Sequence, residues 1–160
     1  MKTSFTKQSL LKVGFEDMAR WESVGSTLNH IGDSRPGWRR ATAFPQALYA
    51  FCDGDEVLYI GKTTKSLSKR FIGYCNPVKS QQTNPKCHER IQKFLKRGRE
   101  VRIVVLLNEI PLAWGEFPIN VPAGLEDALV AAFNPPWNGS GKDRKLTETE
   151  ELELSITAAT

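Results

Sequence analysis

The stretch Ala47–Gly61, ALYAFCDGDEVLYIG, predicts a β-hairpin and sets the centre of the fold. Two apolar, β-prone runs, at 46–53 and 56–61, flank an Asp-Gly-Asp tripeptide. An Asp-Gly pair between such runs is a strong short-range signal for a tight turn between antiparallel strands. Because side chains alternate between the two faces of a strand, Tyr49 and Tyr59 can point to the same face of this hairpin.

The sequence after the hairpin predicts two helices, one buried strand and a last helix. The first helix has Ser66 as its N-cap, and the second has Pro85 at its start and Gly98 after its end. The run EVRIVVLL is typical of a strand buried on both faces, and a Pro-Pro pair ends the last helix. In order, the predicted elements are Ser66–Tyr74, Asn84–Arg97, Glu100–Leu107 and Gly124–Phe133.

The N-terminal part predicts a helix followed by an arginine-bearing loop. Apolar residues recur at helical spacing across Thr6–Trp21, which indicates an amphipathic helix. The segment Gly25–Gly37 is rich in turn residues. Arg35, Arg39 and Arg40 lie close together beside it, and this loop either contacts phosphates or is a solvated connection.

These elements predict an α/β (α+β) fold with a small three-stranded antiparallel sheet flanked by helices and an N-terminal helical extension. We expect an extension at 1–45, a core at 46–140 and an acidic tail at 141–160. A chain of 160 residues suits one compact domain. No apolar run approaches the roughly 18–20 residues that span a bilayer, and the first residues lack a signal-peptide core, which predicts a cytoplasmic protein without a membrane partner.

The charge of the chain is uneven. The net charge is +4, but from Thr147 onward there is no Lys or Arg, whereas Glu148, Glu150, Glu151 and Glu153 are acidic. Without these four glutamates, the 22 basic and 14 remaining acidic residues leave a net charge of +8. A basic body of this size favours a polyanionic partner.

Several polar and aromatic residues lie at spacings that indicate one site. Tyr49 ends the tripeptide Ala-Leu-Tyr on the first strand, and Tyr59 begins Tyr-Ile-Gly on the second, followed by Lys62. Arg70 lies eleven residues after Tyr59, on the predicted helix. Tyr74 follows four residues later, so that it shares a helix face with Arg70.

Two further residues complete the pattern: Glu126 stands near the start of the last helix, and Asn138 closes the segment NPPWN. Across Ala47–Asn138 the chain resembles the GIY-YIG nuclease family. The second tripeptide of that family is intact here, whereas the first keeps only its tyrosine. The resemblance implies a metal-dependent DNA endonuclease that leaves 5′-phosphate and 3′-hydroxyl ends.

The resemblance also implies roles for the matched residues. Tyr49 is the first candidate for the general base, with Tyr59 supporting it. A free phenol has a pKa of about 10, and Lys62 is the candidate cation for lowering it. Arg70 is expected to bind the non-bridging phosphate oxygens with its planar guanidinium. Glu126 is expected to hold one Mg²⁺ or Mn²⁺, because magnesium prefers oxygen ligands and keeps several waters.

Two of the matched residues have roles that stay open at this point. Tyr74 either hydrogen-bonds the attacking water or the phosphate, or packs as an ordinary aromatic residue. Asn138 either orients Tyr49 or a metal-bound water, or caps the end of the last helix. Lys69 lies beside Arg70 and is a further candidate for DNA contact.

Basic residues on the second predicted helix are candidates for contacting DNA phosphates. Four of them fall on one helical face, although an ordinary solvated face has the same pattern. Trp114 and Phe117 are either a wedge for a DNA groove or a lid over the core, and the lid is the favoured interpretation. With Lys69, the predicted DNA-binding residues are Arg39, Arg40, Lys86, Arg90, Lys93 and Arg97.

The favoured function is a restriction-type enzyme that acts on double-stranded DNA as a monomer or as a homodimer. A repair, recombination or homing nuclease of the same family is the first alternative. A nucleic-acid-binding module without catalytic activity is the second, and it would use the same basic surface.

Overall fold

The predicted hairpin is present, and it forms one edge of a sheet that is larger than expected. The computed structural model describes residues 4–77, 83–139 and 146–159. In chain order the elements are α1 Lys7–Lys12, β1 Glu16–Val24, β2 Thr27–Gly32, α2 Arg35–Ala43, β3 Pro45–Asp53, β4 Glu56–Ser66, α3 Leu67–Cys75, α4 Thr83–Lys96, β5 Arg102–Leu107, β6 Ala113–Trp114, β7 Phe117–Pro118, α5 Val121–Phe133 and α6 Glu148–Ala159.

The main sheet has five strands in the order β2-β1-β5-β3-β4, and all neighbours are antiparallel. The three-stranded sheet predicted from the sequence is therefore too small. Its three strands are present as β5, β3 and β4, and the two additional strands come from the N-terminal region. The short strands β6 and β7 pair separately.

The predicted helix over Thr6–Trp21 is wrong beyond its first turns. Helix α1 ends at Lys12, and Gly14 adopts a φ of +107°, a conformation that glycine tolerates far better than other residues. The following residues extend as β1, which pairs with β5 on one side and β2 on the other. Trp21 is buried by this arrangement, because its alternate-residue position faces the core.

The predicted arginine loop is also wrong, because its arginines lie on helix α2. Ser34 is the N-cap of this helix, and its hydroxyl accepts a 3.3 Å hydrogen bond from the backbone N–H of Gly37. Pro36 stands in the first turn, where a missing N–H costs little. The turn-prone residues Pro36 and Gly37 therefore belong to the first turn of a helix.

From Pro45 to Phe133 the predicted elements occur in the predicted order, and the short strands β6 and β7, which were not predicted, lie between β5 and α5. Gly54 occupies the hairpin turn with a φ of +57°, and the hydroxyl of Ser66 caps α3 by accepting from the N–H of Lys69 at 3.4 Å. Strand β5 lies between β1 and β3, and its four central residues are buried. Gly98 follows α4 with a positive φ, as expected after a helix end.

Helices cover both faces of the sheet. On one face, apolar residues of α2, α3 and α4 pack with Tyr49, Phe51 and Trp21. On the other face, α1 and α5 pack against Leu48 and Ile60. Strand β4 is an edge strand, so residues at that edge can be reached from both layers.

The hairpin formed by β6 and β7 stands away from the core. Trp114 is 81% exposed and Phe117 is 75% exposed, so the interpretation of these residues as a lid is wrong. Within the described ranges, no helix has the length and apolar character needed to cross a membrane.

Candidate active site

Three phenols from three elements converge on one face of the sheet: Tyr49 on β3, Tyr59 on β4 and Tyr74 on α3. The hydroxyl oxygens of Tyr49 and Tyr74 are 2.7 Å apart, and the hydroxyl of Tyr74 donates a longer bond of 3.4 Å to that of Tyr59. Since Tyr74 has one hydroxyl proton, Tyr49 is the donor in the shorter bond. The three hydroxyls thus form a chain that ends at Tyr59.

The register of the β3–β4 hairpin explains this convergence. Tyr49 lies opposite Gly61, and Phe51 lies opposite Tyr59, so both phenols project from the same face. A Cβ atom on Gly61 would come within 2.7 Å of the Tyr49 ring and 2.8 Å of the Tyr59 ring. The glycine of the Tyr-Ile-Gly tripeptide is therefore required by the close approach of the two rings.

Arg70 is the cation of the phenol cluster. Its Nη2 atom donates a 2.8 Å hydrogen bond to the hydroxyl of Tyr74, one helical turn away, and its guanidinium carbon lies 4.5 Å from the centre of that ring. Burial alone would lower the pKa of Arg70, but the surrounding phenols raise it overall, so the side chain stays charged. A planar cation held in this way is suited to binding an anion.

Burial controls the acidity of all three phenols. It raises the pKa of Tyr49, of Tyr59 and of Tyr74, and the positive charge of Arg70 opposes the rise at each. The phenols differ in access, because Tyr49 and Tyr74 are 0% exposed whereas Tyr59 is 7% exposed. For Tyr59, the hydrogen bond from Tyr74 also opposes the rise in pKa.

Glu126 reaches the same edge of the sheet from the opposite layer. It stands in the second turn of α5, after Asn120 caps the helix by accepting from the N–H of Ala123 at 3.2 Å. Burial raises the pKa of the Glu126 carboxyl, while the charges of Lys62 and Arg70 lower it. The carboxylate also raises the pKa of Tyr59, which brings Glu126 and the phenol cluster into one electrostatic environment.

Lys62 lies on the strand face opposite to the phenols. Lys62 lies opposite Leu48 in the register of β3 and β4, and Leu48 packs on the face of the sheet that α5 covers. The side chain of Lys62 is exposed. The charge of Lys62 acts to lower the pKa of Glu126, whereas the charge of Arg70 acts to lower the pKa of the phenols. The charge expected to lower the pKa of a tyrosine is therefore supplied by Arg70.

Asn138 fixes the edge strand that carries Tyr59. Its Oδ1 atom accepts from the backbone N–H of Ile60 at 2.9 Å, and its Nδ2 atom donates to the carbonyl oxygen of the same residue at 2.8 Å. The N–H of Trp137 donates to the carbonyl of Leu58 at 2.8 Å. The segment after α5 therefore satisfies the outer edge of β4, next to the phenol at its centre.

Two residues outside the sequence pattern support the site from α4. The Nδ1 atom of His88 lies 2.6 Å from the backbone carbonyl oxygen of Tyr74, so this nitrogen carries a proton and donates it. Arg90 donates to the carbonyl of Trp137 at 2.9 Å. No sequence signal marked these contacts, since each joins a side chain to a backbone group of another element.

The donor set at the edge of β4 fits one hard cation held mainly by water. Glu126 supplies a partly buried carboxylate, and within the described ranges no group of three acidic, histidine or cysteine side chains is close enough to hold a metal ion together. Magnesium keeps several of its waters and needs few protein ligands. A lone carboxylate of this kind is a suitable ligand for Mg²⁺ or Mn²⁺.

The predicted DNA-binding residues lie on three helices. Arg39 and Arg40 are exposed on α2, where Arg40 forms an ion pair with Glu109, and Lys69 is exposed on α3. On α4, Lys86 and Lys93 are exposed, Lys93 pairs with Glu89 at 3.2 Å, and Arg97 pairs with Glu153 at 3.0 Å.

Solved structures that match this fold include a phage protein and a restriction endonuclease. A mutant of EndoII from bacteriophage T4 has a TM-score of 0.59 at 22% sequence identity, covering 86% of this chain and 100% of that chain. The restriction endonuclease HPY188I in complex with product DNA has a TM-score of 0.50 at 15% identity, covering 91% of this chain and 89% of that chain.

The chain shares the fold of these two proteins. No protein-family profile matches the sequence. No curated protein matches it either. The relationship is therefore visible in the three-dimensional arrangement of the chain.

Proposed function

We propose that the protein is a metal-dependent DNA endonuclease of the GIY-YIG type. The observation that carries this proposal is the hydrogen-bonded cluster of three phenols and Arg70, whose charge also acts on the carboxyl of Glu126. Groups from several elements that gather around one small space are what hydrolysis of a phosphodiester needs. The likeness of the fold to a restriction endonuclease solved with product DNA supports DNA as the substrate.

Arg70 binds the phosphate in this proposal. Its guanidinium is already held by Tyr74, so little side-chain freedom is lost when it binds the non-bridging oxygens. These hydrogen bonds strengthen as negative charge grows on the phosphate in the transition state. Lys62, exposed beside Glu126, neutralises charge at the outer side of the same phosphate.

We assign the general base to Tyr59 rather than to Tyr49. A base must touch the attacking water, and Tyr59 combines some exposure with an electrostatic influence from Glu126. Its phenolate would accept a hydrogen bond from Tyr74, which is itself bonded by Arg70. Tyr49 is fully buried and acts at the far end of the hydroxyl chain, where it holds Tyr74 in place.

Glu126 would hold the divalent ion in this proposal. When bound, such an ion polarises the phosphate and stabilises the leaving oxygen. The oxygen of a water attacks the phosphorus as Tyr59 removes a proton from it, and the bond between phosphorus and O3′ breaks. The released O3′ takes a proton from solvent, so the products are a 5′-phosphate and a 3′-hydroxyl. Asn138 keeps the strand that carries the base in position.

The finer assignment is to a restriction-type enzyme that acts on double-stranded DNA. Incubation of purified protein with supercoiled plasmid tests the activity, with Mg²⁺ in one series and excess EDTA in the other. We expect nicked and linear DNA only with Mg²⁺, at discrete positions, with ends that a DNA ligase rejoins without added kinase. Binding to DNA without any cleavage in Mg²⁺ or Mn²⁺ would contradict the proposal.

A further inference from the structure

The basic face of α4 and the acidic helix α6 meet in one groove. This groove, here called the α4 groove, has a volume of about 300 Å³. Its lining combines cations and one carboxylate of the α4 segment with one carboxylate of α6, and the residues that define it are Lys86, Glu89, Arg90, Lys93, Phe94, Arg97 and Glu150. Carboxylates therefore occupy the side of α4 that carries most of the predicted phosphate contacts.

The contact between the two helices is electrostatic. The Nη2 atom of Arg97 lies 3.0 Å from a carboxylate oxygen of Glu153, and Glu150 lines the groove one helical turn earlier. The start of α6 is fixed by Thr147 and Glu150, since the backbone N–H of Thr147 donates to the Glu150 carboxylate at 2.9 Å and the backbone N–H of Glu150 donates to the Thr147 hydroxyl at 3.2 Å. These bonds set the direction in which the acidic residues of α6 point.

Little apolar packing holds α6 in this position. Leu152, Leu154 and Ile156 are 61%, 58% and 59% exposed, and no described residue of α6 itself is buried. Exposed ion pairs such as the one between Arg97 and Glu153 contribute little to stability and weaken further with salt. A polyanion with several charges can therefore displace the two carboxylates of α6 from the cations of α4.

The α4 groove lies on the helix that contacts the candidate active site through His88. His88, in the first half of α4, donates to the backbone carbonyl of Tyr74, and Arg97 follows the last turn of the helix. At 1.5 Å per residue, Lys86 and Arg97 are separated by about 16 Å along the helix axis, enough to follow several phosphates of a bound strand.

We infer that α6 is an intramolecular competitor for the DNA backbone, in which Glu150 and Glu153 occupy cations of α4 that would otherwise bind phosphates. This inference rests on the proposed function, because it concerns how the same site takes its DNA. The competition weakens binding of non-specific duplex and leaves the chemical step unchanged. DNA that gains enough contacts at the active site displaces the carboxylates and uses the whole groove.

A pair of charge-matched double variants tests this inference in the full chain. E150Q/E153Q neutralises Glu150, which lines the groove, and Glu153, which pairs with Arg97, and glutamine preserves the side-chain shape and the capping of Thr147. E148Q/E151Q removes the same charge from the same helix at positions that do not line the groove. Circular dichroism and thermal unfolding check that both variants keep the fold.

Fluorescence anisotropy with a short labelled duplex, without divalent metal, gives the dissociation constant over a series of salt concentrations. At about 50 mM salt, we expect E150Q/E153Q to bind about tenfold more tightly than the unchanged protein, and E148Q/E151Q to differ from it by less than about twofold. The slope of log Kd against log salt should steepen by about one to two for E150Q/E153Q only, because it makes extra phosphate contacts.

Two results would overturn the inference alone: equal tightening by both double variants, or no tightening by either, in a protein that binds and cleaves DNA. Equal tightening would mean that net charge controls binding. No tightening would mean that α6 has a structural role and does not compete with DNA. Failure of the unchanged protein and of every variant to bind DNA would overturn the proposed function as well. A single-turnover cleavage rate at saturating DNA should be the same in all three proteins.

Discussion

The backbone of Gly61 lies directly against the ring of Tyr49, so close that a Cβ atom would come within 2.7 Å of the phenol oxygen. The two residues face each other across the β3–β4 hairpin, and the ring of Tyr59 closes the same space from the side. The glycine thus allows two phenols to share one face of the sheet. Its backbone conformation is ordinary, so the need for glycine comes from the rings.

The substitution Gly61→Ala should lower the free energy of unfolding by about 2–3 kcal/mol, because the buried rings and strand must shift. Gly124→Ala is the matched control: it lies in α5, where a Cβ meets nothing within 4 Å, and should stabilise by about 0.5–1 kcal/mol. Urea denaturation measures both. Equal effects of the two substitutions would show that the approach of the rings does not require glycine.

Alkaline pH should destabilise the protein through its buried phenols. All three tyrosines have a pKa raised by burial, so above about pH 10 they ionise in the unfolded chain before they ionise in the folded one. The unfolded chain then binds fewer protons, and the free energy of unfolding falls by about 1.4 kcal/mol per pH unit for each tyrosine. Burial also raises the pKa of Cys52 and Cys87 to about 12. Ionisation of these thiols in the unfolded chain therefore also lowers the free energy of unfolding, and it begins at a lower pH than for the tyrosines.

Absorbance at 295 nm and urea denaturation between pH 9 and 11 check this prediction. The folded protein should show no phenolate absorbance near pH 10. In Tyr49→Phe, the free energy of unfolding should fall less steeply with pH, by the contribution of one tyrosine. Titration of the three phenols near pH 10 in the folded protein would contradict it.

The cleavage rate should rise with pH if the phenolate of Tyr59 is the base. Burial raises the pKa of Tyr59, so the reactive fraction below that pKa grows tenfold per pH unit. Single-turnover rates between pH 7 and 9 should therefore follow a slope of one in the unchanged protein and in Tyr49→Phe, and should become flat and low in Tyr59→Phe. A slope that survives in Tyr59→Phe and disappears in Tyr49→Phe would reassign the base to Tyr49.

Replacement of Asn138 should affect stability before chemistry. Asn138→Ala removes two hydrogen bonds to Ile60 and leaves the edge of β4 unsatisfied, which should cost about 1–3 kcal/mol. Asn138→Asp keeps the acceptor and loses the donor, so its effect on stability should be intermediate. Loss of cleavage with unchanged unfolding in Asn138→Ala would instead place this amide in the chemistry.

The hairpin and the elements after it could be predicted from sequence because their signals are local. Gly54 marks the turn, Ser66 marks the start of α3, and the β-branched run before Leu107 marks a central strand. The partners of Tyr49 and Tyr59 follow from these elements by alternation along the strands. The same logic places Arg70 and Tyr74 on one side of a helix.

The N-terminal strands could not be predicted in this way. The segment Glu16–Val24 has few β-branched residues, and it is a strand because β5 and β2 pair with it on either side. Its apolar residues fit a helical spacing by coincidence, and the positive φ of Gly14 is visible only in the structure. The contacts of Asn138 and His88 with backbone groups of Ile60 and Tyr74 likewise depend on tertiary packing.

Cleavage by Glu126→Gln is the most direct test of the claim that the phenols, Arg70 and Glu126 act as one metal-dependent site. Asp127→Asn is its matched control, since the neighbouring carboxyl is exposed on the same helix. In single-turnover assays with Mg²⁺, Glu126→Gln should lose at least about 1000-fold in rate while it still binds duplex DNA, and Asp127→Asn should stay within about threefold of the unchanged protein. Comparable cleavage by Glu126→Gln and the unchanged protein would contradict the account.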